Sequence, residues 1–410
     1  MRILLVAPIP PDNEASGGLG PLLYGSLTGL VDLGHDVTVV TATGRDRTEQ
    51  DAVKRLRRDG HDIIATPRHM GRDRWRRRLR MVARWVILRE PWRTVWFSEP
   101  GVQPLLDRLF TDRHFDIIDI QDNSMGQYRL PATTPRVLTE VEVRQPRPRV
   151  WRPGPPRQWA QAAFREADWA RWPGYQRSTW ARFDVVRVFT QRDARVAGSF
   201  APCLAARLRI TPFGVRIPTI DNDRSVDDHT IAFLGDYTHA PNVDAALWLA
   251  HEILPKVHQA VPDAHLRLAG PHAPPSVLAL MAPHIEVVGF VRDADEFIAS
   301  AAVVAAPIRT GGGMRVKVLQ AMALGKAVVT TTRGAEGLDH VDPPAIIVED
   351  TSDDIAFAIA RLLLDRRERA LMGDRARSLV IDRYSPAAFA RRSESMYASV
   401  IADAIHRPLR

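Results

Sequence analysis

A single cysteine, Cys203, stands in 410 residues, which excludes an internal disulfide and any cysteine-based structural zinc site. The burial habits of free cysteine predict Cys203 as a small core residue. Long hydrophobic runs are missing too, and no apolar stretch approaches the roughly 18 residues that a membrane-spanning helix needs. The apolar start, residues 3–7 (ILLVA), is short, is followed by Pro8, Pro10 and Pro11, and has no small-residue cleavage site. It reads as a first strand rather than a secretory signal, and the protein as cytoplasmic. Aromatic residues are only 7% of the chain, and the basic run described below has no base-stacking aromatics set in a recognised domain. No nucleic-acid partner is therefore expected.

What is present describes a globular protein: 45% hydrophobic and 25% charged residues, too long for one ordinary core and long enough for two doubly wound domains of roughly 150 to 200 residues each. Strand-like runs alternate with helical stretches, beginning ILLVA, DVTVVTA, HDIIATP, FDIIDIQ, RVLTEVEV and FDVVRVFT. Between residues 208 and 230, Pro212, Gly214, Pro218 and a polar run break the periodicity. A second series follows, TIAFLGD, AHLRLAG, HIEVVGF, AAVVAAPI, KAVVTT and AIIVED, before helices near 353–364, 366–382 and 386–405. Alternating strands and helices imply α/β domains with parallel sheets. The expected division is a Rossmann-like domain at 1–214, a linker at 215–229, a second Rossmann-like domain at 230–384, and a C-terminal helix at 385–410 packing back on the first domain. Ligands of such domains bind in loops after the strands, here in a cleft where the carboxyl ends of both sheets face one another.

The formal net charge is +8, and its excess concentrates in residues 45–93. Residues 72–92 (RDRWRRRLRMVARWVILREPW) hold eight arginines against Asp73 and Glu90. At 100° per residue Trp75, Leu79, Val82 and Val86 share one narrow stripe, with Arg76, Arg77, Arg80 and Arg84 opposite. This basic amphipathic helix is either a domain helix with a solvated face or a surface that docks on anionic lipid. In the second case the protein is peripheral on the inner membrane face and its acceptor is lipid-linked or presented there. In the first, the stripe packs against the N-terminal sheet.

The sharpest constellation is at residues 310–325, TGGGMRVKVLQAMALG, between a strand and the next strand. Gly311, Gly312 and Gly313 allow close backbone approach to a ligand, and a helix expected to start near Met314 offers free amides and a positive dipole end. Arg315 and Lys317 fall in its first turn, where cations oppose the dipole unless an anion compensates. A diphosphate meets that need.

This segment, extended to TGGGMRVKVLQAMALGKAVVTTTRGAEGL, resembles the donor-binding segment of glycosyltransferase family 4, the glycosyl transferases group 1 enzymes of GT-B fold. IAFLGDYTHAPNVDAALWL, LRLAGP and IEVVGFVRDADEFIASAAVVAAP resemble the rest of that family's C-terminal domain. ITPFGV, MRILLVAPIPPDNEASGGLG and LTGLVDLGHDVTVVTA resemble parts of its N-terminal domain. The resemblance implies a nucleoside-diphosphate sugar as donor, held by Gly235, Gly311, Gly312, Gly313, Met314 and Gln320 of the second domain. Gly17 and Gly18 approach the diphosphate from the acceptor-binding first domain. Arg315 and Lys317 stabilise the leaving diphosphate, so neither a cofactor nor a metal is required. Departures from the pattern are plain. Gly312 and Gln320 stand where many members carry two glutamates, and Asp236, Tyr237, Thr238 and His239 where many carry an Arg and a Lys.

In the first domain the loops after FDIIDIQ and RVLTEVEV supply Asp122, Asn123, Glu140 and Glu142, of which Glu142 is the candidate catalytic carboxylate for an acceptor hydroxyl. Paired arginines, Arg144, Arg147 and Arg149, offer such carboxylates a purely electrostatic role instead. The Trp-rich segment, with Trp151, Trp159, Trp169, Trp172 and Trp180, reads as core packing rather than a sugar platform. The expected function is a retaining, metal-independent glycosyltransferase. The rivals are a sugar-nucleotide epimerase, which needs no acceptor, and a non-catalytic GT-B module that binds a nucleotide or a partner.

Overall fold

The computed structural model describes residues 1–15, 18–44, 47–68, 74–144, 159–219 and 226–405, with side chains omitted for 74–77. The chain forms two compact units, Met1–Pro212 with Phe389–Arg410, and Phe213–Ala388.

The first unit contains β1 (Arg2–Ala7), β2 (Asp36–Thr43), β3 (Asp62–Pro67), β4 (Ile117–Gln121), β5 (Arg136–Thr139), β6 (Val185–Val188) and β7 (Leu208–Ile210). They pair in the order β3-β2-β1-β4-β5-β6-β7, every ladder parallel. Apolar, β-branched strands buried on both faces are what a parallel sheet covered by helices requires. Ile3, Leu5 and Val39 pack on one face with Leu27 and Leu30, and Leu4, Val6 and Ile118 on the other with Leu106 and Trp180. The C-terminal helix Pro386–Ile405 adds Ala390, Tyr397 and Val400 to the first of these cores. A charged cluster fastens it: Tyr397 donates its hydroxyl to Asp119 at 2.5 Å, and Arg187 lies 3.3 Å from the same carboxylate. All three side chains are fully buried, so removing one member would leave an uncompensated buried group.

The second unit contains β8 (Asp227–Leu234), β9 (His265–Ala269), β10 (Ile285–Gly289), β11 (Ala301–Ala306), β12 (Ala327–Thr330) and β13 (Ile347–Val348). Its sheet is parallel throughout, in the order β10-β9-β8-β11-β12-β13. In each unit the chain moves outward from a central strand and then returns to its other side, so the strand order reverses between β1 and β4 and between β8 and β11. Crevices at such reversals are where doubly wound sheets bind ligands.

Expectation and structure differ at several points. Cys203 is exposed rather than in the core, because it sits in the short 3-10 turn Pro202–Arg207, in which only Leu204 turns inward. The unit boundary falls at 212/213, and Phe213 and Val215 of the expected boundary region are buried. Val215 donates its amide to the carbonyl of Tyr384 at 2.7 Å. RVLTEVEV is a strand only to Thr139. The basic helix is real, Arg74–Ile87, but Arg84 does not belong to a solvated face. It donates to Glu90 at 2.6 Å, Ser98 at 2.5 Å and Gln127 at 2.9 Å. Met81 and Trp85 face the body of the unit, Trp85 donating to Asp168 at 2.9 Å and stacking on Phe164 at 4.9 Å. The stripe of Leu79, Val82 and Val86 is exposed, so it does not pack on the sheet. The side chains of Trp75, Arg76 and Arg77 lie outside the described ones. Among the described residues no helix is long and apolar enough to cross a membrane.

Candidate active site

The reversal between β8 and β11 brings together the loop after Leu234 and the glycine loop after Ala306. Gly235 prolongs β8, its amide bonded to the Ala269 carbonyl at 3.0 Å. Beside it Gly270, at φ +141°, presses on the Gly235 carbonyl, and a Cβ there would lie 1.9 Å from that oxygen. Only glycine accepts this conformation and this approach.

Gly311 and Gly313 adopt φ +91° and +79°, the left-handed turns that let residues 310–315 curl back on themselves. Arg315 grips the curl, donating to the carbonyls of Gly312 at 3.2 Å and Thr310 at 3.1 Å. Met314 is buried beneath it. The following helix runs from Val316 to Ala323 rather than from Met314, with Arg315 as its N-cap and no capping side-chain bond. Arg315 therefore precedes the first turn and Lys317 lies within it, beside amides that lack a carbonyl four residues back.

Lys317 turns inward. Its Nζ donates to Asn242 Oδ1 at 2.6 Å and sits 4.5 Å from the centre of the Phe233 ring. Asn242 is held in turn, its Nδ2 donating to the carbonyl of Asp236 at 2.7 Å. Gly235 makes room for the ammonium: a Cβ there would be 2.7 Å from Nζ and 2.8 Å from the Asn242 side chain. Burial, reinforced by the charge of Arg315, brings the Lys317 amine down to about 7. Desolvation without an anionic partner disfavours the charged form.

Gln320, expected to meet a ribose, donates its amide to Asp295 Oδ1 at 2.6 Å, and Asp295 also pairs with Arg216. Asp236 accepts from Thr238 and faces His272 at 3.2 Å. Local hydrogen bonds hold its carboxyl below the usual range against the opposing effect of burial.

In the first unit Gly18 is the N-cap of helix Leu19–Asp32, and Gly17 lies outside the described residues. At the carboxyl ends of β4 and β5, Asp122 adopts φ +79° and pairs with Arg93 at 2.8 Å. Asn123 is buried with neither side-chain amide atom bonded. Glu142 is exposed and pairs with Arg144 at 3.1 Å, whose guanidinium stacks 4.1 Å from the Trp172 ring. Burial falls instead on Glu140, which accepts from Trp180 Nε1 at 2.9 Å. Desolvation first, and the charge of Asp122 second, push the Glu140 carboxyl up to about 8. Trp172 and Trp180 are core residues and Trp159 is exposed. Trp151, Arg147 and Arg149 lie outside the described residues. Three partners had no local signal in the sequence: Phe233 under Lys317, Asp295 on Gln320, and Trp180 on Glu140. Each pairing joins residues from separate elements.

Residues 228–365 match the protein family described as Glycosyl transferases group 1. No curated protein matches the chain. Among solved structures, Anabaena HepE in complex with UDP superposes with a TM-score of 0.62 at 13% identity, over 97% of this chain and 100% of that one. A glycosyltransferase from Rickettsia africae gives 0.64 at 12% identity, covering 98% of each chain. Sucrose-phosphate synthase from Thermosynechococcus elongatus gives 0.61 at 14% identity, over 98% of this chain and 100% of that one. Identities this low establish a shared fold, the two-domain α/β fold of GT-B enzymes.

Proposed function

We propose, from the premise that a chain carrying a glycosyl transferases group 1 domain on a GT-B fold is a glycosyltransferase, that it moves a sugar from a nucleoside diphosphate to an acceptor hydroxyl, retaining configuration and using no metal. One observation carries the donor assignment: Lys317, a buried amine with no anionic partner among the described residues, stands one turn from the glycine curl that Arg315 grips. A diphosphate placed at the Val316–Ala323 helix start would meet free amides, Arg315 and Lys317 together. Cations aimed at the leaving group supply the charge stabilisation that a divalent ion supplies in metal-dependent transferases. A neighbour in fold supports this reading: HepE was solved with UDP.

Binding of a nucleotide sugar should stabilise the protein by roughly 2.7 kcal/mol at 100 times its dissociation constant, so a thermal-shift panel of nucleotide sugars identifies the donor. With that donor and acceptor, turnover in excess EDTA should be undiminished, and the first-formed product should keep the donor's anomeric configuration by NMR. Failure of every nucleotide sugar in the panel to shift the melting temperature would remove the assignment. A metal requirement or an inverted product would remove the corresponding half of the mechanism.

The acceptor is read as lipid-linked or presented at the inner face of the membrane. Support for that reading is the exposed face of Leu79, Val82 and Val86 on a helix rich in arginine.

A further inference from the structure

Position 320 holds an amide where many group 1 transferases hold a glutamate. A carboxylate nevertheless stands beside it. Asp295, in the first turn of helix Ala294–Ala299, accepts from Gln320 Nε2 on its Oδ1 at 2.6 Å and pairs through Oδ2 with Arg216 of the segment after the unit boundary. Each partner holds one oxygen, so the carboxylate is fixed from both sides. A carboxylate has about four lone-pair sites, and these two bonds take one on each oxygen. Among the described residues, each oxygen therefore keeps an acceptor site open. The Asp295 side chain is 15% exposed, so a hydroxyl of a ligand can reach it.

The place of this carboxylate along the donor site says what it can receive. The diphosphate is read at the start of helix Val316–Ala323, and Gln320 lies one turn further, about 6 Å along the axis. A carboxylate beside that turn would repel the phosphates, so its open acceptors suit an uncharged part of the donor that carries hydroxyls. Two adjacent acceptors match two adjacent hydroxyl donors, and an acidic side chain on the ribose hydroxyls is a recurring arrangement in doubly wound nucleotide sites. We infer that Asp295 reads the 2′- and 3′-hydroxyls of the donor's ribose in place of the glutamate absent at position 320, with Gln320 and Arg216 holding it for that task. The inference rests on the donor reading above and adds to it a requirement for ribose.

The test is titration calorimetry of the full chain with UDP, CDP, GDP and ADP, each beside its 2′,3′-dideoxy counterpart. Wild type should bind the ribose form of its preferred nucleotide roughly 10- to 100-fold more tightly than the dideoxy form, the scale of hydrogen bonds made to a charged group. In Asp295→Ala that ratio should fall to near one through weaker binding of the ribose form alone. The dideoxy form should keep its affinity within about twofold, which reports a folded site with its phosphate contacts intact. Gln320→Leu releases one oxygen of Asp295 but leaves the carboxylate, and should lower the ratio less. Equal weakening of both forms by Asp295→Ala would make Asp295 a structural strut and overturn the inference. A ratio kept in Asp295→Ala but lost in Gln320→Leu would assign the reading to the amide and overturn it equally. A wild-type ratio near one overturns it while the observed nucleotide binding leaves the donor reading standing, whereas no binding by any of the nucleoside diphosphates removes both.

Discussion

Donor binding should carry a proton with it. In the free protein Lys317 has one neutral acceptor among the described residues, Asn242 Oδ1 at 2.6 Å, with the Phe233 ring beneath and Arg315 near. Burial, reinforced by the charge of Arg315, brings its amine down to about 7. A diphosphate alongside would favour the ammonium and raise that value in the complex. If only the protonated amine binds, apparent affinity follows the protonated fraction, about 0.9 at pH 6, half at pH 7 and ~0.01 at pH 9. Binding should therefore weaken about 90-fold from pH 6 to pH 9, approaching tenfold per unit above pH 7. The sign is fixed: a base whose value is low in the free state and raised in the complex takes up a proton on binding. The diphosphate of a nucleotide sugar is a diester with no ionisation of its own in this range, so the phosphates do not supply the signal. Titration calorimetry at pH 8 in two buffers of different ionisation enthalpy should report uptake of close to one proton, and Lys317→Gln should lose both the uptake and the pH slope. Equal affinity at pH 6 and pH 9, with no proton taken up, would refute the placement of Lys317 at the diphosphate.

Arg315→Ala and Lys317→Ala should each lower turnover roughly 100-fold or more with the fold retained, the scale of losing one preorganised charge-stabilising donor; near-normal turnover in the double variant would remove both roles. Gly235→Ala should abolish the thermal shift by the donor, since the new methyl would stand 2.7 Å from Lys317 Nζ, while circular dichroism shows the second unit folded. Glu140→Gln keeps an acceptor for Trp180 and removes a carboxyl raised from 4.5 to about 8. Ionisation of that carboxyl favours the unfolded chain above pH about 4.5, so the variant should melt above wild type by a margin that is absent near pH 4, grows to pH 8 and then levels; a margin independent of pH would show that Glu140 is not the titrating group. Tyr397→Phe leaves the buried Asp119 and Arg187 without the hydroxyl and should destabilise the first unit by about 1 to 3 kcal/mol, the cost of one buried group left unsatisfied, read as a lower melting temperature.

Much of the fold was legible because its causes are local. Short apolar strands bounded by turns announce themselves within a few residues, and the helices expected near 353–364, 366–382 and 386–405 stand at Ser352–Leu364, Arg366–Tyr384 and Pro386–Ile405. The glycine loop was legible for the same reason, since three adjacent glycines between a strand and a helix need no distant partner to be recognised.

The chain by itself determined the alternation of strand and helix, the two-domain count, the glycine curl and the basic amphipathic helix. Only the tertiary structure decided which charged groups are buried. Lys317 and Asn242 are 75 residues apart, and nothing near either announces that the amine will lose its water. Glu140 and Glu142 are indistinguishable in a strand pattern, yet Trp180 encloses one while Arg144 meets the other at the surface. Cys203 looked like a core residue because burial was inferred from residue type alone, and Arg84 looked solvated because a helical wheel knows nothing of Glu90, Ser98 and Gln127. Periodicity is a property of neighbours along the chain, whereas desolvation depends on which distant segments close over a group, and that is settled only when the sheets and helices have packed.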